Sequence, residues 1–390
     1  MAIIQGIRGA GNGLAANQKR DIWKTLMVLK PYNTPLSQFI IFGRKPSKPV
    51  FNKTGTFSWM EDTLLPHDTT TTAAITAVSG QLTLNATNCA DFSIFNVDDL
   101  VLITETSKMG IVVSTTSTTA VLENPDGTAL TDLTSGHYIT ILTSMNSENA
   151  LQRTAYTTQE VEKTNRLTIM SDTVSVTNRE EAGQSYTNGL SLAEQIQKKM
   201  EEMKFQFERL ALLSLTSGLA TTTDSMVKSW GQGALGTFTT HASTYTTTTE
   251  AGLDTWLEAV GKQGSTSRLL LAGSTVYFDI QKIIKAKYGT LPTNQIVKKY
   301  GVDLTTYKHG YLNVNLVYDP VLDGEHTTTA IAIDVDKCVA RHMNNDSHGS
   351  RKFRIERNVQ PPGADYTSTK LLQDLGIQFM NEETGGVWSK

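Results

Sequence analysis

The most regular alternation of apolar and polar positions in the chain lies between Ser191 and Ser217. Leu192, Ile196, Met200, Met203, Phe207 and Leu210 recur at steps of three and four, which places them on one face of a helix and predicts a buried spine. Glu194, Lys198, Glu202, Lys204 and Glu208 occupy the opposite face with unlike charges one turn apart, so that face is expected to be solvated. Ser191 with Glu194 three residues later reads as a capping box, and Gly218 stands just past the end. At 1.5 Å per residue the element is about 40 Å long, more than a compact domain needs to cross itself.

Ahead of the spine, residues 1 to about 20 carry Gly6, Gly9, Gly11 and Gly13 and few large side chains, so they read as an arm without a core. Asp21 is placed to cap a short helix holding Ile22, Trp23, Leu26 and Leu29; Asn33-Thr34-Pro35-Leu36 reads as a turn. Phe57-Ser58-Trp59-Met60-Glu61-Asp62 alternates as a half-buried strand does. From Thr69 to Asn149 the chain is rich in Thr, Val and Ile and is cut by turns at Ser79-Gly80, Pro125-Asp126-Gly127 and Ser135-Gly136. Strands are expected at Ala74–Val78, Gln81–Leu84, Leu100–Thr104, Gly110–Ser114, Thr119–Leu122 and Tyr138–Leu142, the spacing of a small barrel or sandwich. Trp59 to Leu65 and Asn149 to Thr158 read as extended strands that leave and return, so this β-domain sits inside a protruding loop.

Beyond Gly218 a polar stretch to about Thr249 reads as a surface loop. Helices are expected at Glu250–Gln263 and Ser274–Lys287, with strands at Arg268–Ala272, Asn294–Tyr300, Leu312–Tyr318 and Thr329–Val335, which together make an α/β lobe. Phe353–Val359 and Leu371–Asn381 are extended runs near the end.

Composition removes several function classes. With 390 residues, 39% hydrophobic and 19% charged, the chain is globular and long enough for two or three domains. A net charge of −3 offers no broad attraction to nucleic acid or to an anionic membrane, so contact with a genome is expected to be local and weak. Cys89 and Cys338 make no disulfide framework, Met1 to Gly6 lacks the flank and apolar run of a signal peptide, and no stretch of about 20 apolar residues occurs.

Neither cofactor nor metal is expected. Trp256 stands where a phosphate loop ending in Gly261-Lys262 needs glycine, and His342 and His348 near Asp346 have no third ligand at metal-site spacing. Glu61-Asp62 and Glu180-Glu181 show no burial that would tune them for acid–base work. Arg351, Lys352, Arg354 and Arg357 alternate with Phe353 and Ile355, as in a strand with one buried face whose charges meet an acidic neighbouring subunit. With no nucleophile elbow and no Cys/His arrangement, the chain is not expected to be an enzyme.

Taken in order, these parts resemble the major capsid proteins of tailed bacteriophages with the Hong Kong 97-type fold, over nearly the whole chain. Phe57-Ser58-Trp59-Met60-Glu61-Asp62, Phe95-Asn96-Val97-Asp98-Asp99-Leu100-Val101, Phe207-Glu208-Arg209-Leu210-Ala211-Leu212-Leu213 and Tyr300-Gly301-Val302-Asp303, together with Asn33-Thr34-Pro35-Leu36, are similar to the subgroup with a β-domain inserted in the extended loop. The resemblance implies an α+β fold: an N-terminal arm and the start of a peripheral domain (1–53), an extended loop (54–185) with its insertion at about 69–146, and the spine helix with the loop after it (186–249). An axial α/β domain (250–340) and peripheral return strands (341–390) complete it.

The same resemblance implies a structural protein of the virion capsid that self-assembles as pentamers and hexamers into an icosahedral shell around double-stranded DNA. Assembly would take place in the host cytoplasm, with a scaffolding protein, a portal and decoration proteins as partners, weak contact with packaged DNA on the inner face, and no membrane. Trp59, Glu61, Asp62, Arg351 and Arg354 are the subunit-interface candidates. The lysine–asparagine crosslink of some members has no motif here by which to place it. The alternatives are an encapsulin shell, which shares the fold and encloses cargo enzymes, and a phage tail or adhesive β-protein.

Overall fold

Leu269 and Leu271 belong to one hydrophobic core and Leu270 and Ala272 to another, so the strand Ser267–Ala272 is buried on both faces. That is the reason its sequence is a continuous apolar run rather than an alternating one. The computed structural model describes residues 34–41, 47–146, 148, 157–183, 191–221, 226–288, 296–299 and 302–390. The arm of residues 1–20, the helix expected after Asp21 and the first part of the expected strand Asn149–Thr158 lie outside the described residues. Contacts divide the chain into two units, Met60–Glu162 and the described residues before and after it.

In the larger unit, Ser267–Ala272 is the middle strand of a seven-stranded sheet. Ala330–Ile333, Gly386–Ser389 and Ala242–Thr244 follow on one side, and Leu312–Tyr318, Val302–His309 and Ile296–Lys299 on the other. Helices Glu250–Gly261 and Ser274–Tyr288 supply Leu253, Trp256, Leu257, Val260, Val276, Ile280 and Ile284 to the core with Leu270 and Ala272. Phe278 of the second helix is exposed. The strand Gly386–Ser389 belongs to this sheet, although the resemblance implies that 341–390 are wholly peripheral return strands. Its Trp388 stacks on Trp256 with ring centroids 5.7 Å apart, a contact that a four-residue segment cannot announce by periodicity.

A second sheet has the order Lys48–Val50, Cys338–Met343, Tyr366–Phe379 and Thr168–Thr177, with Arg354–Arg357 also paired to the long strand Tyr366–Phe379. The core between this sheet and the first contains Phe207, Ala211 and Leu212 of the spine helix and Leu36, Phe39 and Ile40. The last three belong to a helix, Pro35–Ile41, where the sequence pattern reads a turn. Proline fits the first position of a helix, whose N–H has no partner there, so its presence does not exclude one.

The spine helix runs Leu192–Leu213, about 33 Å at 1.5 Å per residue, and ends before Gly218, which opens the strand Gly218–Thr221. Ser191 accepts the Glu194 backbone N–H as expected of a cap, while the Glu194 Oε2 finds no donor among the described residues. Leu192, Ile196, Met200 and Met203 line a small cluster with Val174 and Leu371, and Met203 and Phe207 are fully buried. Leu210 is only half-buried. Glu208, expected on the solvated face, is completely buried. Both corrections have one cause: in its last two turns the covered arc is shifted onto Phe207, Glu208, Ala211 and Leu212, which takes in Glu208 and leaves Leu210 at its margin, because Pro35–Ile41 and the segment Ala234–Thr237 pack there.

The expected surface loop after Gly218 is likewise structured. Strands Gly218–Thr221 and Val227–Trp230 pair, and Ala234 and Phe238 are buried in the main core. Glycine at 233 permits this approach, since a Cβ there would lie 2.6 Å from the Leu210 carbonyl oxygen. Asn165 ties the same segment down, donating through Nδ2 to Gln232 and Ile377 carbonyls at 3.0 and 2.8 Å and accepting the Gln232 N–H at 2.8 Å.

The unit Met60–Glu162 contains a six-stranded antiparallel sheet ordered Asp68–Thr70, Tyr138–Ser144, Asp99–Ile103, Lys108–Thr115, Thr119–Glu123 and Leu82–Asn85. Its outermost strands are drawn together by the bridge between Thr71 and Cys89 and by hydrogen bonds from Thr72 to Asn88 and from Ala90 to Thr70, 2.9 Å each, which closes a small barrel. Leu82, Leu84, Val101, Ile103, Val112, Ala120, Leu122 and Ile139 alternate inward and form its core. Ala74–Val78, expected as a strand, makes only isolated bridges through Ile75 and Val78. Because this core is internal to the unit, a fragment spanning residues 60–162 is expected to unfold cooperatively on its own; a fragment showing a broad, non-cooperative urea transition by circular dichroism would contradict that.

Candidate functional site

Two basic residues that the sequence places at an interface, Arg351 and Arg354, stand on a loop and a short strand beside the long strand Tyr366–Phe379. Asp346 joins them, receiving Arg351 Nη1 at 3.2 Å and Arg354 Nη1 at 2.7 Å, while Arg351 Nε reaches Asp374 at 3.3 Å and Arg354 Nη2 reaches Glu356 at 2.6 Å. Both guanidiniums are thus paired within the subunit, and no residue of the strand Arg354–Arg357 is fully buried, contrary to the expected one-sided burial. Desolvation pushes the Asp346 carboxyl up, but the His348 backbone N–H and the two guanidiniums outweigh it and hold the group below its ordinary value. Asp374 is raised by burial, partly offset by Arg351. His348 lends Asp346 a backbone N–H, not a ring nitrogen, and no cluster of three His, Cys, Asp or Glu side chains suited to a metal occurs among the described residues.

Next to the ion pairs lies a groove of about 450 Å³. Phe51, Ile169, Val227 and Met343 line it with Arg351 and Asp374 at its polar side. Phe51 is 73% exposed and Ile169 51%, an apolar surface that the isolated subunit leaves in water. Sequence reasoning missed Phe51 and Val227 because each falls in an irregular or two-stranded segment without a long period.

Of the remaining interface candidates, Trp59 is half-buried and stacks on Phe57 at 6.1 Å between centroids. It ends the first unit's share of the strand Thr56–Glu61, which pairs with Val161–Arg166. Glu61 is half-exposed and Asp62 exposed, the latter accepting the Thr63 backbone N–H at 2.9 Å. Met60 and Leu64 between and beyond them are 66% and 89% exposed. Glu61 and Asp62 belong to one unit, and Arg351 and Arg354 to the other.

Buried electrostatics concentrate elsewhere. Glu208 accepts the backbone N–H groups of Leu36 and Ser37, both at 2.6 Å, and so caps the helix Pro35–Ile41 from the spine helix. Nothing in the sequence distinguishes it, since Lys204 one turn earlier makes it look like half of a surface pair. Arg268 and Asp334 form a second buried pair at 3.2 Å, both almost wholly excluded from water.

No element of this inventory assembles a nucleophile, a base and a substrate cavity, and no described helix is long and apolar enough to cross a membrane. The profile of the SU10 major capsid protein family matches residues 9–390. The chain belongs to that family. This major capsid protein is thus a structural component of a virion shell, with a mixed helix-and-strand fold.

No curated protein sequence matches it. Among solved structures it is similar to a chain of Mycobacterium phage Bobi, at 9% identity over 98% of each chain and a TM-score of 0.47. It is also similar to one of Microbacterium phage Oxtober96, at 8% identity over 98% of each and 0.44. A third is the encapsulin complex of Synechococcus elongatus PCC 7942, at 14% identity over 60% of this chain and 77% of that one, with a TM-score of 0.44.

Proposed function

We propose that copies of this capsid protein assemble as pentamers and hexamers into a closed icosahedral shell around double-stranded DNA, in the host cytoplasm, and that the protein turns over no substrate. The observation that carries the reading is the family match across residues 9–390. Exposed apolar positions support it: Phe51, Met60, Leu64 and Ile169 are each more than half exposed in the single subunit, and contact with a neighbouring copy would bury them. Trp59, Glu61 and Asp62 on the strand and loop side, and the Arg351–Asp346–Arg354 group beside the groove, are proposed as contact regions, with the charges fixing register at the rim. A scaffolding protein, a portal and decoration proteins are the proposed partners, and contact with DNA is confined to local patches, consistent with the net charge of −3.

Negative-stain microscopy of the purified full chain, with scaffold supplied, tests the reading. Closed shells or tubes are expected. A chain that stays monomeric at high concentration overturns it, and particles loaded with protein cargo instead of DNA replace it with an encapsulin-like function. Removal of residues 1–20, which carry four glycines and few large side chains, is expected to leave the circular dichroism of the subunit unchanged and to impair shell formation. Equal assembly of truncated and full chains at matched salt and concentration would remove the arm from the assembly mechanism.

A further inference from the structure

At the end of the strand Leu312–Tyr318 the chain delivers Asp319 into the buried space that Glu208 occupies from the spine helix, and both side chains are fully excluded from solvent. Asp319 Oδ1 accepts the Val321 backbone N–H at 2.9 Å; its Oδ2 is buried and has no donor among the described residues. The two carboxyls are within hydrogen-bonding reach of each other, and neither is paired with a cation among the described residues.

The surroundings offer no relief. Helix Pro35–Ile41 brings no ionisable side chain, and on the spine helix the nearest cations, Lys204 and Arg209, are exposed. The strand Cys338–Met343, packed on Pro35–Ile41, carries Arg341 and His342, but Arg341 donates to Gln378 and lies over the Phe57 ring. Asp172 and Asp374, on strands packed against the spine helix, are engaged by Lys199 and Arg351, and Lys370 and Tyr366 are the other ionisable residues of those strands. Asp323, in the turn after Asp319, accepts the Tyr318 hydroxyl and adds negative potential.

Two carboxyls in such a place retain a proton between them, because a second negative charge would have neither water nor a counter-ion. The two N–H groups on Glu208 favour its ionised form, so the proton resides on Asp319 and gives the orphaned Oδ2 a bond to Glu208. We propose that this shared proton is a latch, fastening the helix Pro35–Ile41 to the spine helix until alkaline conditions remove it.

Burial raises both groups, Glu208 to about 7 despite the bonds from Ser37 and Leu36, and Asp319 well above the carboxylate range with the Glu208 charge adding to the effect. A carboxyl whose folded-state pKa is raised keeps a proton that the unfolded chain releases near pH ~4. Stability from the pair is therefore complete in acid, declines as pH climbs above about 4, and is lost once pH passes the folded-state values. The inference does not depend on shell assembly.

Amide hydrogen exchange of the full-length protein from about pH 6 to about pH 9 tests it, comparing variants at equal pH so that the chemical exchange rate cancels. Asp319→Asn keeps a donor toward Glu208 and has no proton to lose. The amides of Leu36 to Ile41 are expected to lose protection in the wild type relative to Asp319→Asn by up to about tenfold per pH unit until pH passes the pair's folded-state titration, and to level off above it. Glu208→Gln, whose amide group meets backbone N–H groups, is expected to expose the segment at every pH. An infrared band of a protonated carboxyl, present in the wild type at neutral pH and missing in Asp319→Asn, completes the expected result. Parallel protection of wild type and Asp319→Asn across the range, or a Glu208→Gln profile identical to wild type, overturns the latch. If Asp319→Asn does not fold, wild-type protection that is independent of pH after correction for intrinsic exchange overturns it equally.

Discussion

Phe207→Ala is expected to lower the stability of the subunit by about 3–5 kcal/mol. The side chain is 1% exposed, within a core that spans the spine helix, Pro35–Ile41 and both sheets, so the neighbours that would have to collapse into the space belong to several rigid elements. Such a loss is a large part of a domain's usual stability of roughly 5–15 kcal/mol. The control is Glu202→Ala, on the same helix and half-exposed, expected to change stability by no more than about 0.5 kcal/mol. Its partner Lys199, 2.8 Å away, retains Asp172 at 3.0 Å, so the substitution leaves no unpaired charge. Urea denaturation followed by circular dichroism decides the matter: equal midpoints for the two variants would show that the helix presents a different face to the core.

Asp334→Ala is expected to cost about 3–5 kcal/mol as well, through charge rather than volume. Arg268 is wholly buried and donates to the Val260, Gln263 and Ser265 carbonyls besides Asp334, while Asp334 also accepts from Ser265 and from the Asp336 backbone. Burial lowers the Arg268 pKa and the Asp334 charge opposes that shift, so the carboxylate is what makes a buried guanidinium tolerable. Removing it strands a positive charge in low dielectric and unfastens the Ser265 turn. The double variant Arg268→Met/Asp334→Leu is expected to be less unstable than the sum of its single changes, since no orphaned charge remains. Strict additivity in a denaturant-based double-mutant cycle would show that the two side chains act independently.

The elements legible in the sequence were those with a sustained period or a local signature. The spine helix announced itself by its three-and-four spacing and its Ser191 cap, and the strand Ser267–Ala272 by a run that only two-sided burial explains. Turn residues marked the barrel strands to within a few positions, because hairpins are closed by local chemistry. What stayed hidden depends on partners remote in sequence. Glu208 has the spacing of a surface charge, and its burial arises from residues 36 and 37. Phe238 and Trp388 lie in segments too short for any period, and they are buried because distant strands and helices cover them. A basic run also carries no record of the aspartates that fold back onto it, as the pairing of Arg351 with Asp346 and Asp374 and of Arg354 with Asp346 shows.

The strand Lys48–Val50 has its parallel partner in Arg341 to Met343, about 290 residues later. At a ribosomal rate of 5–20 residues per second, that partner emerges roughly 15–60 s after the strand itself. The six-stranded barrel in Met60–Glu162 needs nothing from beyond its own boundaries and is complete long before then. Birth of the subunit is therefore ordered in time, with the interrupted unit kept waiting, its early strand unpaired, until Arg341 to Met343 leave the tunnel. For a protein required in many copies at once, this interval is when chaperones have the most unpaired strand to hold, and when premature association between nascent chains has to be avoided.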